Sequence, residues 1–220
     1  MIKVMTIVGT RPEIIRLSEC LKDFDKTFDH KLIHTGQNFD KQLSDVFFEE
    51  FDLKSPYRYL NCSRQSVGAT VASILVEFES VLDEIEPDCI VILGDTNSAL
   101  GAYVAKRKKI PIFHIEAGNR CFDQNTPEEI NRKIVDHISD VNVTYSEIAR
   151  SYLISEGLKP ELIFKLGSPI KEVFEANKIK IDNSKILSEL SLKKSEYLLL
   201  SMHREESVDT KAKLKMKIEI

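Results

Sequence analysis

CIVILGDTNSALGAYVAKRK, residues 89–108, passes from a short apolar run rich in β-branched residues through Gly94 into a polar segment, Asp95-Thr96-Asn97, and then into a helical pattern. A strand without polar alternation has no face left for water, so it belongs in a sheet covered on both sides. Such sheets are parallel, and their crossovers are helices. The same succession recurs on either side. Strands are predicted over 3–8, 31–35, 89–93, 110–115, 141–145 and 162–166, with helices over 12–24, 43–51, 66–85, 98–108, 127–139 and 146–156. This order predicts an α/β fold, a Rossmann-like doubly wound parallel sheet. The helix over 66–85 carries Val67, Val71, Ile74, Leu75, Phe78, Leu82 and Ile85 along one face and reads as scaffold.

Beyond Ser168 the pattern changes. Short helices are predicted over 170–177 and 184–190, separated by a polar connector at 178–183 where a domain boundary is placed. A new buried strand is expected from Glu196, through the apolar run 197–200. The organisation expected is an N-terminal Rossmann-like domain over 1–177, then a linker and the start of a second Rossmann-like domain over 178–220.

The chain has 220 residues, 42% apolar and 30% charged, with a formal charge of −4. Nothing in that balance calls for nucleic acid, so any anionic ligand must be held by local positive groups. With no apolar stretch near membrane length and no signal peptide, the reading predicts a cytoplasmic protein without a membrane partner. The four cysteines, Cys20, Cys62, Cys89 and Cys121, form no CxxC pair and read as reduced thiols. The histidines lack ligand spacing, so no metal is expected.

In an open parallel sheet, ligands bind beyond the carboxyl ends of the strands. After the first strand stands Gly9-Thr10-Arg11-Pro12-Glu13, neither a GxGxxG nor a Walker loop, so no nucleotide cofactor such as NAD or ATP is expected. Thr10 and Glu13 fit a capping box. Arg11, at the helix N-terminus, reads as a phosphate clamp. Arg16 either joins that clamp or pairs with a surface carboxylate. Gln37 and Asn38 offer amides to a sugar or a phosphate. Asp95 either caps the next helix or serves as a base or electrostatic stabiliser. Glu116, continuous with a buried strand, is costly unless partnered. With Arg120 it forms either an internal ion pair or a catalytic carboxylate beside a phosphate-facing arginine. Thr126 and Glu129 suggest a second capping box, leaving Glu128 free for chemistry. Asp95, Glu116 and Glu128 thus converge with Arg11, Arg16, Arg120 and Arg132, a mixture suited to proton transfer on an anionic substrate.

The segments VGTRPEIIRLS (8–18), HTGQNFD (34–40), GDTNSA (94–99), HIEAGNRCFDQNTPEEINRKIVDHISD (114–140), LGSPI (166–170) and SMHREESVD (201–209) together resemble the non-hydrolysing UDP-N-acetylglucosamine 2-epimerases. The 116–137 stretch most resembles the branch acting on UDP-2-acetamido-2,6-dideoxy-L-talose. The resemblance implies two Rossmann-like domains in the glycosyltransferase-B arrangement, a UDP-sugar substrate in the cleft between them, and a homodimer. It implies removal of the C2 proton, departure of UDP to leave a glycal-type intermediate, and return of UDP after reprotonation on the opposite face. Asp95, Glu116 and Glu128 fall on the family's catalytic acids, Arg11 on its motif arginine and His203 on its cleft histidine. Arg16 stands where many members have Lys, and Asn38 where many bacterial members have the histidine of a regulatory site, a departure that counts against allosteric activation. Family members run well beyond this length. The alternation of apolar and charged residues from Lys213 is expected to mark a frameshift, premature stop or shortened chain. A cleft lacking most of its second wall is not expected to clamp UDP. A glycosyltransferase-like enzyme and a binding-only fragment remain as alternatives.

Overall fold

The computed structural model describes residues 1–36, 41–60, 62 and 65–200, for 41–45 the backbone alone. Gln37, Asn38, His203 and the alternation from Lys213 lie outside the described residues. Seven parallel strands are formed: β1 (Lys3–Val8), β2 (Asp29–His34), β3 (Arg58–Tyr59), β4 (Cys89–Leu93), β5 (Ile112–Ile115), β6 (Val141–Thr144) and β7 (Ile163–Lys165). Their order in the sheet is β3-β2-β1-β4-β5-β6-β7, so the winding reverses between β1 and β4. A crevice opens at such a reversal, beyond the strand ends. The two-residue β3 is too short to show a period and was not predicted. β5 begins at Ile112 rather than at residue 110, because Pro111 has no amide hydrogen to give the ladder.

The helices are α1 (Arg11–Thr27), α2 (Lys41–Glu50), α3 (Val67–Ile85), α4 (Ala102–Arg107), α5 (Pro127–Ile138), α6 (Glu147–Ser155) and α7 (Ile170–Ala176). Alternate residues of each central strand supply opposite faces. Met5, Ile7, Ile90 and Ile92 pack with Phe78, Leu82 and Ala102 of α3 and α4, while Val8 and Leu93 pack with Ile14, Leu17 and Leu21 of α1 and with Phe48 of α2. Burial on both faces explains the uninterrupted apolar runs. The stripe on α3 is buried from Ile74 onward, but Val67, expected on the same face, is 77% exposed. A 3-10 turn at Asn97–Gly101 precedes α4 where one continuous helix was predicted.

The chain divides into Met1–Ala176 and Asn177–Ile220. In the second unit, α8 (Lys178–Asp182) replaces the expected polar connector and carries a Lys178–Asp182 pair at 2.6 Å, and α9 covers Ile186–Glu189. The apolar run 197–200, expected as a buried strand, forms no strand, and Leu198 is 100% exposed. A strand needs a ladder partner, and the described residues of that unit provide none. Among the described residues no helix is long and apolar enough to cross a membrane.

A buried charge network fixes the β5–α5 loop. α5 turns Glu129, Asn131, Val135 and Asp136 inward while Ile130 and Ile134 stay exposed. Asp136 Oδ1 lies 2.9 Å from His114 Nδ1, and its Oδ2 accepts from Arg120 Nη1 at 2.7 Å. The amide of Gly118 donates to the same carboxylate at 3.2 and 3.3 Å. His114 Nε2 is 2.8 Å from the carbonyl oxygen of Gly94. The Gly94 carbonyl can only accept, so Nε2 donates to it, while Nδ1 faces the Asp136 carboxylate without a hydrogen bond of ordinary geometry. Burial alone would lower its pKa; the Asp136 carboxylate overrides burial and raises it. Arg120 continues the chain of charges, donating to Glu156 at 2.8 and 2.6 Å, and burial of the guanidinium is outweighed by its two carboxylates. Gly118 has φ +78, and a Cβ there would run into the carbonyl oxygen of Ala149 in α6. Only glycine fits both demands.

Two outcomes follow from this network. Asp136→Asn keeps the shape but removes a buried carboxylate from Arg120 and His114, so the unfolding free energy in urea falls by about 3–5 kcal/mol; a loss under about 1 kcal/mol would show that the network is not structural. Arg120 holds the Glu156 carboxyl down, from 4.5 to about 2. A lowered folded-state pKa contributes stability above the unfolded value and loses it as pH falls through the folded one. Melting temperature therefore drops between pH 4.5 and 2, and Glu156→Gln flattens that slope, by on the order of 1 kcal/mol once solvent screening is allowed for.

Candidate active site

The loops after β1 and β4 meet at the reversal of winding. Gly9 allows this, because a Cβ there would overlap the hydroxyls of Ser98 and Thr35, which bond to each other at 2.7 Å. Glu13, 3% exposed, accepts from the amides of Gly9 and Thr10 at 2.6 and 2.7 Å and from the Thr96 hydroxyl at 2.7 Å. It therefore caps α1, as its spacing from Thr10 predicts, and also ties α1 to the β4 loop, which no local pattern announces. Burial raises its pKa against those hydrogen bonds. Arg11 opens α1, exposed and without an ion pair to the described residues. It stands at a helix N-terminus, where the unpaired amides favour anions.

Arg16, on the second turn of α1, resolves its two readings inward: its Nη1 pairs with Glu116 Oε2. Glu116 directly follows β5 with φ +71, a left-handed conformation costly for a residue with a side chain. The backbone on either side holds it there, since Gly94 N donates to Ile115 O at 2.9 Å and Ala117 N to Val143 O at 3.1 Å. Asn119 Nδ2 reaches the other carboxyl oxygen at 3.3 Å. Burial raises the Glu116 pKa, Arg16 opposes it, and the Asp95 charge adds to it. A carboxyl lifted by burial is a candidate for proton transfer.

Asp95 caps nothing; Thr96 occupies the N-cap of the 3-10 turn. The Asp95 carboxylate instead accepts from Arg132 Nε at 2.8 Å and also from Arg132 Nη2. Asn131 secures that loop from α5, donating to the Asp95 carbonyl at 3.0 Å and to Asn97 Oδ1 at 3.1 Å. Arg132 Nη1 also bonds Glu129 at 2.9 Å. The guanidinium so held has a raised pKa, with Asp95 outweighing the cost of burial.

The second capping box does not form in the predicted manner. Glu129 is buried and accepts from the amides of Cys121 and Phe122, at 3.1 and 3.3 Å, and from Arg132. Burial would raise its pKa, but these donors lower it. Glu129 is thus fully engaged on other grounds, and Glu128 beside it is exposed. Arg120 differs from expectation: it neither pairs with Glu116 nor turns toward a ligand. Its side chain is closed off from solvent by Asp136 and Glu156, because a buried arginine must be neutralised where it lies. Cys121 is exposed, its Sγ 3.4 Å from Glu129. No group of three or more His, Cys, Asp or Glu side chains among the described residues could hold a metal ion.

The structure therefore brings Arg16, Asp95, Glu116, Glu129 and Arg132 to one strand edge, with Glu128 at the head of α5 and Arg11 at the head of α1. Sequence reasoning missed His114, Asn131 and Asp136. The available signal was their place in the inward stripe of α5 and in a buried strand, where a polar residue demands a partner.

Residues 22–220 match the family model described as UDP-N-acetylglucosamine 2-epimerase. A solved UDP-N-acetylglucosamine 2-epimerase from Rickettsia bellii superposes with a TM-score of 0.91 at 49% identity, over 100% of this chain and 59% of that one. The Methanocaldococcus jannaschii UDP-N-acetylglucosamine 2-epimerase is 41% identical over 99% of this chain and 61% of its own length, and its structure with UDP-GlcNAc and UDP superposes with a TM-score of 0.90. A UDP-2,3-diacetamido-2,3-dideoxy-D-glucuronate 2-epimerase of Pseudomonas aeruginosa is 33% identical over 96% of this chain and 60% of its own length. The chain spans about three fifths of the length of the curated relatives it matches. By sequence and by fold, it belongs to the UDP-N-acetylglucosamine 2-epimerase family.

Proposed function

We propose that this chain carries the proton-transfer half of a sugar-nucleotide 2-epimerase site, one that inverts C2 of a UDP-2-acetamido sugar. The observation that carries the reading is Glu116, a carboxyl raised by burial, held in a strained backbone at the strand edge and paired with Arg16. In the proposed cycle, Glu116 and Glu128 move the C2 proton off one face and onto the other. Asp95, locked by Arg132, positions the sugar. Arg11 and Arg16 stabilise the diphosphate as UDP leaves C1 and returns, with His203 in the same role. Arg120 was a candidate for that role and is left to structure by its two carboxylates. No cofactor enters, because the same C–H bond is broken and remade. The finer substrate reading is the UDP-2-acetamido-2,6-dideoxy-L-talose branch, supported by the 116–137 stretch, with synthesis of surface polysaccharide as the use. The partner reading is a homodimer, supported by Val76 and Tyr103, exposed at 67% and 49% on adjoining α3 and α4. A binding-only role is the second reading.

Incubation with UDP-N-acetylglucosamine or the 6-deoxy-L-talose substrate in D2O, followed at C2 by NMR, tests both readings. Deuterium enters C2 with the unsubstituted chain, and Glu116→Gln or Glu128→Gln slows that entry by about 10²–10⁴-fold, the usual worth of a positioned acid or base. Equal exchange in both variants would overturn the assignment, and binding without exchange would select the second reading. Sedimentation at a series of concentrations checks the dimer.

A further inference from the structure

One buried polar group at the site is unused by the proposed chemistry. Tyr145 follows β6 directly, between two strand ends that clamp it: Ala117 N donates to Val143 O at 3.1 Å, and Leu166 N to Thr144 O at 3.1 Å. Ser146, the next residue, caps α6 by accepting from Ala149 N at 3.1 Å, so the backbone at Tyr145 has little freedom. The register that pairs Ile115 with Val143 places Glu116 and Tyr145 at the same edge of the sheet. The Tyr145 hydroxyl is sealed from solvent and makes no hydrogen bond of ordinary geometry to the described residues, although the Ser168 hydroxyl and the Glu116 carboxyl lie within its reach. The groups that act on it are Glu116, Arg16 and the Ser168 hydroxyl. Burial and the Glu116 charge raise the phenol's pKa, so it keeps its proton and can serve only as a donor or a neutral acceptor.

A buried hydroxyl without a partner is costly, and such groups are ordinarily satisfied in some state of the protein. The state in which Tyr145 is needed follows from Arg16, which is 37% exposed and is the guanidinium that neutralises Glu116. An anionic diphosphate competes for it. When Arg16 turns away, Glu116 would lose its strongest donor while remaining buried beside Asp95.

We propose that Tyr145 is a positioning residue of this site: its phenol becomes the hydrogen-bond donor to the Glu116 carboxylate when Arg16 turns to an anionic ligand. This rests on the reading of Glu116 as a proton-transfer group and specifies how its proton affinity is kept in range once the ion pair opens. No bond to the tyrosine oxygen is made or broken.

The test is a 13C NMR titration of the Glu116 carboxyl in the glutamate-labelled chain, assigned by its loss in Glu116→Gln. The groups facing that carboxyl are Arg16 from α1, Asp95 from the β4 loop, His114 from β5, Asn119 from its own loop and Tyr145. Arg16→Met imitates the withdrawn arginine. In that background, adding Tyr145→Phe raises the Glu116 midpoint by about one unit, the scale of one hydrogen bond to a charged group. With Arg16 present the rise is smaller. An unchanged midpoint in both backgrounds would overturn the proposal. Should the double variant fail to fold, the reciprocal measurement stands: in Glu116→Gln the Tyr145 ring carbon reports ionisation at lower pH than in the unsubstituted chain, and no displacement overturns the proposal equally. Neither titration requires a sugar nucleotide. Coupling between the two residues in a chain that exchanges no deuterium at C2 would count against the proposed function alone.

Discussion

The Asp136 carboxylate holds together everything that gives this strand edge its chemistry. It is wholly buried, yet it gathers the imidazole of His114 from β5, a guanidinium from the loop beyond and the amide of Gly118. A buried charge is tolerated only where every lone pair has a donor, which makes the arrangement all-or-none. Through His114 the network grips Gly94 at the end of β4, and through Arg120 it reaches Glu156 at the end of α6. The residues bracketed by these anchors, Glu116 to Asn119, are thereby forced into a conformation that a free loop would not choose.

That constraint explains why the site can tolerate so many acids at one edge. Asp95 and Glu116 repel one another, and Asp95 contributes to the raised pKa of Glu116. Each is matched to its own guanidinium, Arg132 and Arg16 respectively. The two pairs differ in depth, the Arg132 side chain being 15% exposed and that of Arg16 37%. The deeper pair, braced by Glu129 and Asn131, is a fixed wall. In the Arg16 pair the guanidinium is the more exposed partner, and its carboxylate is the one whose proton affinity burial has lifted.

The position of this edge follows from topology. Where winding reverses between β1 and β4, the helices that follow, α1 and α4, pack on opposite faces of the sheet, and the loops that lead to them border a crevice. Gly9 lets the backbones approach, and Glu13 locks α1 to the far loop, so Arg16 on the second turn of α1 meets Glu116 at the end of β5.

Six of the seven strands, their parallel direction and the helices between them are legible in the chain itself, because a sheet covered on both faces demands unbroken apolar runs and each run here ends in Gly or a polar residue. The same ends name Arg11, Arg16, Asp95, Glu116, Glu128 and Arg132 as candidates, since only polar residues at carboxyl ends can face a crevice. Partnership was not legible. Nothing local says that Arg16 takes Glu116 across 100 residues of sequence, that Arg120 turns away to Asp136 and Glu156, or that Glu129 serves Cys121 and Phe122 rather than Thr126. Nor does the apolar run 197–200 become a strand, because a strand needs a neighbour as well as a composition. Periodicity reports which face of an element is buried; which charge meets which is decided by long-range packing, where a buried ion must be neutralised by whatever the fold brings beside it.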